Sequence, residues 1–314
     1  YGITSGVGYF VADSREEVEA IDRIAKKLGK TQKILLRITP GIDPHTLKAI
    51  STGRVDSKFG TPIIEGKAEE ITSFALSKEN AILCGFHCHI GSQIFEPAPF
   101  IDAATVMISF LSDMKDKFGF EAEVLNLGGG FAVKYTAEQG EVNISEYIGE
   151  IAKNVTNLCE KYSVKMPKIF MEPGRSIVAA AGITLYTVGT RKEIPGFKNY
   201  ISIDGGMPDN PRYALYQSPY TVVCANRASS PADYKATVCG RCCESGDLIA
   251  EDIKVQKMDR GDTLAVLVTG AYNYSMASNY NRIPRPPIVI VKDGNDRLSV
   301  RRESFEDLIK NEVL

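Results

Sequence analysis

Short apolar segments alternate with amphipathic segments of helical period through the first half of this chain. A run of about four to eight apolar residues between turn residues predicts a strand, and apolar residues at every third or fourth position predict a helix. A capping box at Ser14 opens the first helix, which Gly29 ends. The predicted strands cover residues 7–11, 33–38, 82–89, 124–127 and 168–171, and the later helices cover 65–76, 100–118 and 145–162, the last capped by Ser145. Repeated strand–helix units produce parallel strands joined by right-handed crossovers.

Polar, glycine-bearing motifs follow directly after three of these predicted strands. They are "HIGSQ" (89–93), "GGGF" (128–131) and "EPGR" (172–175). Functional residues at the carboxyl ends of successive parallel strands are typical of a (β/α)8 barrel. A doubly wound open sheet also binds ligands at that edge, but it usually concentrates its phosphate loop after the first strand. The spread over three strands therefore favours the TIM-type barrel.

The second half of the chain, from Ile183 onward, changes character. Its apolar segments are rich in Val, Ile, Thr and Tyr and have few helical segments between them, which predicts a β-rich domain. We therefore expect a partial α/β barrel that binds a cofactor over residues 1–182. A β-domain is expected over residues 183–314, closed by a short helix at 304–313.

The overall composition limits the classes of function. The formal net charge of −2 at pH 7 argues against a general nucleic-acid surface. No apolar run approaches the roughly 18 residues of a membrane helix. The seven cysteines, an odd number at irregular spacing, are typical of reduced thiols in a cytoplasmic protein. The opening "YGITSGVGYFV" lacks an initiator Met and is typical of mid-domain sequence, so we expect an upstream segment.

The motif "EPGR" combines groups that a simple anion site does not need. The glycine amides and Arg175 suit a phosphate, whereas the carboxylate of Glu172 does not, so the ligand must also carry a cationic group. Pyridoxal 5'-phosphate has a phosphate for the loops of Gly130 and Gly174. It also has a ring nitrogen that a carboxylate keeps protonated, which makes the ring an electron sink. A structural salt bridge between Glu172 and Arg175 is the alternative interpretation.

Two histidines lie on one face of the predicted strand that ends at "HIGSQ". The imidazole of His89 could stack on the cofactor ring, and the alternative is that His87 and His89 fill a polar layer of a barrel. A zinc site is disfavoured, because zinc is usually bound by four spaced ligands. The chain has a single C-x-x-C pair, Cys239 and Cys242. We expect no metal.

Seven motifs, taken together and in order, resemble those of the diaminopimelate decarboxylases. This family of fold type III pyridoxal-phosphate enzymes is related to ornithine and arginine decarboxylases and to alanine racemase. The motifs are "STGRVDSKFG" (51–60), "HIGSQ", "GGG", "EPGR", "DGGM" (204–207), "CESGD" (243–247) and "GAYNYSMASNYN" (270–281). The resemblance runs from about Val7 to Leu314. It implies a pyridoxal-phosphate barrel followed by a β-domain, and a homodimer with active sites shared across the interface.

The resemblance also implies a role for individual residues. His89 would stack on the cofactor ring, and Cys243 of the other subunit would return a proton to the carbanion. The residues implied in cofactor binding are His89, Ser92, Gly129, Gly130, Glu172, Gly174, Arg175 and Tyr272. The residues implied in substrate binding are Arg175, Arg212, Tyr216, Glu244 and Tyr272.

The implied reaction is pyridoxal-phosphate-dependent decarboxylation of meso-2,6-diaminopimelate to L-lysine, a step of lysine biosynthesis. A related decarboxylase for another basic or D-amino acid is the alternative, and Arg212 discriminates between them because a distal carboxylate needs a cation. In the family, the lysine that forms the Schiff base lies before the position matching Tyr1. The expectation is therefore that this chain alone is inactive, which leaves a non-catalytic barrel that binds pyridoxal phosphate as a third hypothesis.

Overall fold

The computed structural model describes residues 1–42 and 57–313. The predicted motif "STGRVDSKFG" therefore lies partly outside the described residues, since 51–56 are not among them. The chain divides into two compact units. Unit 1 comprises Tyr1–Val133 and Glu141–Gly174, and unit 2 comprises Lys134–Gly140 and Arg175–Leu314.

Unit 1 is built from parallel strands and helices that alternate along the chain. Its strands are Tyr9–Ala12 (β1), Gln32–Thr39 (β2), Thr61–Pro62 (β3), Ala81–His87 (β4), Val124–Asn126 (β5) and Lys168–Phe170 (β6). Its helices are Arg15–Lys27 (α1), Lys67–Leu76 (α2), Ala98–Phe118 (α3) and Ile144–Lys161 (α4). The sheet has the order β1-β2-β4-β5-β6, with β3 paired to β2, and every pairing in it is parallel.

The helix boundaries follow from local hydrogen bonds. The side chain of Ser14 accepts the N–H of Glu17 at 3.3 Å and so caps α1 as predicted. The prediction that Ser145 caps α4 is wrong. The cap is Asn143, whose Oδ1 accepts the N–H of Glu146, because Asn143 is the residue with extended backbone before the first helical turn.

The core of unit 1 lies between the sheet and its helices. Strand β4 is buried along almost its whole length, as expected for a central parallel strand covered on both faces. Phe86 of β4 packs edge-on against Phe110 of α3, with ring centroids 5.0 Å apart. Phe100 of the same helix stacks on Phe131, at 4.7 Å. These contacts hold α3 against the strand that leads into "HIGSQ".

Unit 2 is dominated by β-strands. These are Ile183–Ile194 (β7), Lys198–Ile203 (β8), Val222–Cys224 (β9), Tyr234–Cys239 (β10), Leu248–Val255 (β11), Thr263–Leu267 (β12), Ile288–Lys292 (β13) and Asn295–Val300 (β14). One sheet has the order β11-β10-β8-β7-β12-β9, antiparallel except for the β8–β10 pair, and β13 and β14 form a separate hairpin. Its short helices are Gly174–Val178 (α5), which begins at the last residue of unit 1, Arg212–Tyr216 (α6) and Phe305–Ile309 (α7). Across the described ranges, every helix is too short or too polar to span a bilayer.

Asp22 of α1 determines where the central strand begins. Its Oδ1 accepts the backbone N–H of Asn80 at 2.7 Å and that of Ala81, the first residue of β4, at 3.1 Å. Because His87 ends the same strand, this carboxylate helps set the position of the histidines that follow.

Replacing Asp22 with Ala removes the acceptor for two backbone N–H groups. We expect the free energy of unfolding to fall by about 1–3 kcal/mol, the range for partly buried hydrogen bonds to a charged group. Urea titration followed by circular dichroism measures it. Glu19→Ala, at an exposed position of the same helix, is the control and should change stability by less than about 0.5 kcal/mol. Equal stability of the two variants would show that the Asp22 bonds contribute little.

Candidate active site

The loops after β4, β5 and β6 are joined by backbone hydrogen bonds. Beyond the ends of the strands, the N–H of Glu172 donates to the carbonyl of Gly128 at 2.8 Å, and that of Ile94 donates to Gly130 at 2.9 Å. The motifs "HIGSQ", "GGGF" and "EPGR" therefore meet at one edge of the sheet. Ser92 lies in the first of these loops and Gly174 ends the last, where its N–H donates to the carbonyl of Glu172 at 2.8 Å.

The three glycines are required by close backbone approach. Gly128 has a φ of +70° and Gly130 a φ of +120°, in the left-handed region that favours glycine. A Cβ on Gly129 would overlap the backbone carbonyl oxygen of Glu172. The loops after β5 and β6 can touch because no side chain stands between them.

The Glu172 carboxylate has two side-chain partners in unit 1. Its Oε1 accepts a hydrogen bond from Nδ2 of Asn126 at 2.9 Å and lies 3.5 Å from Nε2 of His87. The hydrogen bond from His87 is the largest cause that lowers the pKa of Glu172 to about 2. Asn126 and His89 act in the same direction, and partial burial opposes them. Glu172 is therefore ionised at any physiological pH.

His89 is kept neutral beside that ionised carboxylate. Burial is the largest cause that lowers the pKa of His89 to about 4, and Arg37 and His87 add to it while Glu172 opposes them. Its Nδ1 accepts the N–H of Gly129 at 3.1 Å, as a neutral imidazole can. This bond fixes the ring against the glycine loop.

A second group of predicted residues lies in unit 2, around Tyr135. Arg175 and Arg212 are both buried. Arg175 donates to the hydroxyl of Tyr135 at 2.6 Å, and the guanidinium of Arg212 lies 4.9 Å from the centre of the same ring. Arg212 also donates to the hydroxyls of Tyr220 and Ser218. Because these hydroxyls are neutral, they accept two hydrogen bonds from Arg212 without balancing its charge. A buried guanidinium of this kind attracts an anion.

Tyr272 joins this cluster through Arg175, whose guanidinium lies 4.7 Å from its ring centre. Its backbone φ is +64°, a conformation that costs a bulky residue about 1–3 kcal/mol. Such strain persists only where surrounding contacts maintain it, and it is often found at ligand sites. Tyr216 ends helix α6, which begins at Arg212, and is half-buried.

Cys243 and Glu244 lie on the loop between β10 and β11, and both are exposed. The N–H of Cys243 donates to Oδ1 of Asn281 at 3.3 Å. The buried carboxylate of Asp247 braces the loop by accepting the N–H groups of Met207 and Cys242 at 2.6 and 2.8 Å. The structure thus presents the thiol on a braced loop, open to solvent.

Several residues in these two groups were missed by the sequence analysis. Asn126 and Tyr135 lie within a few residues of "GGGF", and Tyr220 lies further along the chain after "DGGM". In the sequence, each of them is typical of a residue that only packs in the core. The only signal for His87 was its position two residues before His89. Across the described ranges, no cluster of three or more His, Cys, Asp or Glu side chains could hold a metal.

Comparison with known proteins identifies the family of this chain. The family described as "Pyridoxal-dependent decarboxylase, pyridoxal binding domain" matches residues 1–179. The diaminopimelate decarboxylase of Bacillus subtilis (strain 168) is 45% identical over 304 residues, which cover 97% of this chain and 69% of that protein. That of Staphylococcus aureus (strain COL) is 44% identical over 314 residues, 100% of this chain and 73% of that protein. The chain belongs to the diaminopimelate decarboxylase family.

Solved structures of diaminopimelate decarboxylases share its fold. The enzyme from M. jannaschii, in complex with L-lysine, aligns with a TM-score of 0.89 at 35% identity and covers 100% of this chain and 71% of that one. The Helicobacter pylori enzyme with L-lysine gives 0.88 at 29% identity, with 99% and 74% covered. They confirm the fold class predicted from the sequence, α/β-barrel strands followed by a β-rich part.

The cofactor of this decarboxylase family is pyridoxal 5'-phosphate, and the residues of unit 1 fit it. An ionised carboxylate suits a protonated ring nitrogen, a neutral imidazole can lie against an aromatic ring, and loops without side chains can approach a phosphate. These three features are Glu172, His89 and the segment Gly128–Gly129–Gly130.

Substituting Ala at Gly129 tests whether the close approach of the loops matters. The new Cβ would displace the backbone of Glu172, so we expect pyridoxal phosphate to bind about tenfold or more weakly, since small displacements in a site are costly. Absorbance titration of the cofactor-free protein measures this affinity. Gly149→Ala is the control, because a Cβ there meets nothing within 4 Å, and its affinity should equal that of the wild type. Unchanged affinity in Gly129→Ala would mean that the loops tolerate a side chain.

Proposed function

We propose that this chain carries the active-site residues for the decarboxylation of meso-2,6-diaminopimelate to L-lysine, with pyridoxal phosphate as cofactor. The observation that carries the proposal is the pair of buried arginines around Tyr135, which suits an amino acid with a second carboxylate. Family membership and the likeness to structures solved with L-lysine support the same reaction.

Each residue has a separate task in this proposal. The cofactor supplies an electron sink for the carbanion left by loss of carbon dioxide. Glu172, kept ionised by its two partners, accepts the hydrogen bond of the ring nitrogen. His89 packs as a neutral ring, so that it adds no positive charge beside the carbanion. Glycines 129, 130 and 174, with Ser92, bind the phosphate.

Substrate selection is assigned to unit 2. Arg212 and Arg175 bind carboxylates, and their fixed guanidinium planes suit two-point contact with such groups. Tyr272, which contacts Arg175, and Tyr216, which ends the helix that begins at Arg212, are assigned to the same substrate. Glu244 binds the distal amine, and its exposed position lets it serve a substrate.

Cys243 is proposed to hold the proton that returns to the carbanion, at its Sγ. The exposed thiol on a braced loop supports this role, because a merely structural cysteine is normally buried. We also propose that Cys243 and Glu244 complete the site of a second copy of the chain in a homodimer. A cytoplasmic location fits seven free cysteines.

A substrate panel tests the reaction. The purified full-length protein, supplied with pyridoxal phosphate, should release carbon dioxide from meso-diaminopimelate at least about 100-fold faster than from L-lysine, L-ornithine or L-arginine. These analogues lack the distal carboxylate and would leave the buried Arg212 without the anion that it is proposed to bind. Carbon dioxide release and the appearance of L-lysine are the measurements. A preference for ornithine or arginine would assign a related decarboxylase, and cofactor binding without turnover on any substrate would contradict the proposal.

Mixing two inactive variants of the full-length protein tests the shared site. Cys243→Ala and His89→Ala should each be nearly inactive, whereas after subunit exchange their equal mixture should recover roughly a quarter of all sites, from simple two-fold statistics. Cys243→Ala mixed with Glu244→Gln is the matched control. Both of its changes lie on one loop, so no site receives an intact loop and no activity should return. Exchange is confirmed by native mass spectrometry, and no recovery in the first mixture would place all the groups in one subunit.

A further inference from the structure

Asn126, the last residue of β5, connects the Glu172 carboxylate to the glycine loop. Its Nδ2 donates to Oε1 of Glu172 at 2.9 Å, and its Oδ1 accepts the N–H of Gly128 at 2.9 Å. The residue is only 6% exposed. Both polar atoms of this buried amide therefore make hydrogen bonds, the nitrogen to the carboxylate of Glu172 and the oxygen to the backbone of the glycine loop.

The orientation of this amide is determined by its partners. A carboxylate only accepts hydrogen bonds and a backbone N–H only donates, so the NH2 of Asn126 must face Glu172 and its oxygen must face Gly128. Aspartate at this position would keep the bond to Gly128 but would bring a second negative oxygen against Glu172. An apolar residue would leave a buried N–H unsatisfied, at a cost of about 1–3 kcal/mol.

Glu172 needs such support. Its side chain is 52% exposed, and the other contact of Oε1, to Nε2 of His87, is long at 3.5 Å. A long, half-exposed side chain retains rotamer entropy of up to about 2 kcal/mol unless contacts hold it. The bond from Asn126 is shorter and comes from a strand end, which is a rigid support.

We infer that Asn126 is a positioning residue, which orients the Glu172 carboxylate relative to the glycine loop so that one ligand can meet both. This inference rests on the proposed use of pyridoxal phosphate. The ring nitrogen and the phosphate belong to one molecule, so a side chain that couples the two groups that would bind them would help to set the spacing of the site.

The titration of Glu172 offers a test in the protein without cofactor. Four titratable or charged groups act on this carboxylate. They are His87 at the end of β4, the thiol of Cys88 and the imidazole of His89 just after that strand, and Arg37 of β2. None of them changes when Asn126 is replaced. A carboxylate introduced at position 126 should therefore raise the pKa of Glu172, because like charges disfavour ionisation.

The experiment compares Asn126→Asp and Asn126→Ser with Asn154→Asp. Serine is too short to reach both partners, and it serves if the aspartate variant does not fold. Asn154→Asp makes the same change in charge at a half-buried position of α4. Carbon-13 NMR of the cofactor-free protein follows the Glu172 carboxyl, with the Glu172→Gln spectrum as the assignment. Cofactor affinity, kcat and KM for meso-diaminopimelate are then measured on the loaded full-length proteins.

For a positioning role, Asn126→Asp should raise the pKa of Glu172 by about one unit or more. Both Asn126 variants should lower kcat about tenfold or more, as expected for a misdirected group, with KM changed less than about threefold. Glu172→Gln should lower kcat on the order of 100-fold, and Asn154→Asp should match the wild type. An unchanged Glu172 titration in Asn126→Asp, or wild-type kcat in Asn126→Ser, would overturn the inference.

The NMR result separates this inference from the proposed reaction. If the wild-type protein does not decarboxylate meso-diaminopimelate, the proposed function fails. The titration would still show whether Asn126 acts on Glu172. A raised pKa with intact kcat in both variants would mean that Asn126 is merely structural.

Discussion

The close approach of three loops at one edge of the parallel sheet is the constraint on which the cofactor-binding part of the site depends. Parallel pairing of β4, β5 and β6 brings their carboxyl ends side by side, but side chains on the connecting loops would normally hold those loops apart. Gly129 removes that obstacle where the loop meets the backbone of Glu172. The acid, the imidazole and the bare amides lie together because the backbones can touch.

Within that arrangement, two neighbouring titratable groups are driven to opposite outcomes. Hydrogen bonds lower the pKa of Glu172 and keep it charged, whereas burial lowers the pKa of His89 and keeps it neutral. Pairs of titratable groups in which the surroundings keep one group charged and the other neutral are frequent in catalytic sites. Here the result is a single negative charge placed beside a flat, uncharged ring, which suits a cationic aromatic ligand.

The arginine cluster of unit 2 follows a different principle. Arg212 is buried against tyrosine and serine hydroxyls, which accept two of its hydrogen bonds and do not balance its positive charge. The rings of Tyr135 and Tyr220 also hold the guanidinium by cation–π contact. A buried guanidinium held in this way by neutral groups suits an anionic ligand, as proposed above.

The sequence by itself determined the alternation of strands and helices, the change to β-structure after Ile183 and the motifs at the strand ends. These depend on periodicity and on turn residues, which are local properties. It misplaced the cap of α4, because Asn143 and Ser145 are both good capping residues and only the backbone conformation separates them.

The partners of the predicted residues were decided by the tertiary structure alone. Asn126 is 46 positions from Glu172 along the chain, and Tyr135 is 40 positions from Arg175. Nothing in the sequence next to Asn126 or Tyr135 distinguishes a residue that supports a functional group from one that fills the core. Each acquires its role only when strand order and loop approach bring distant segments within hydrogen-bonding distance.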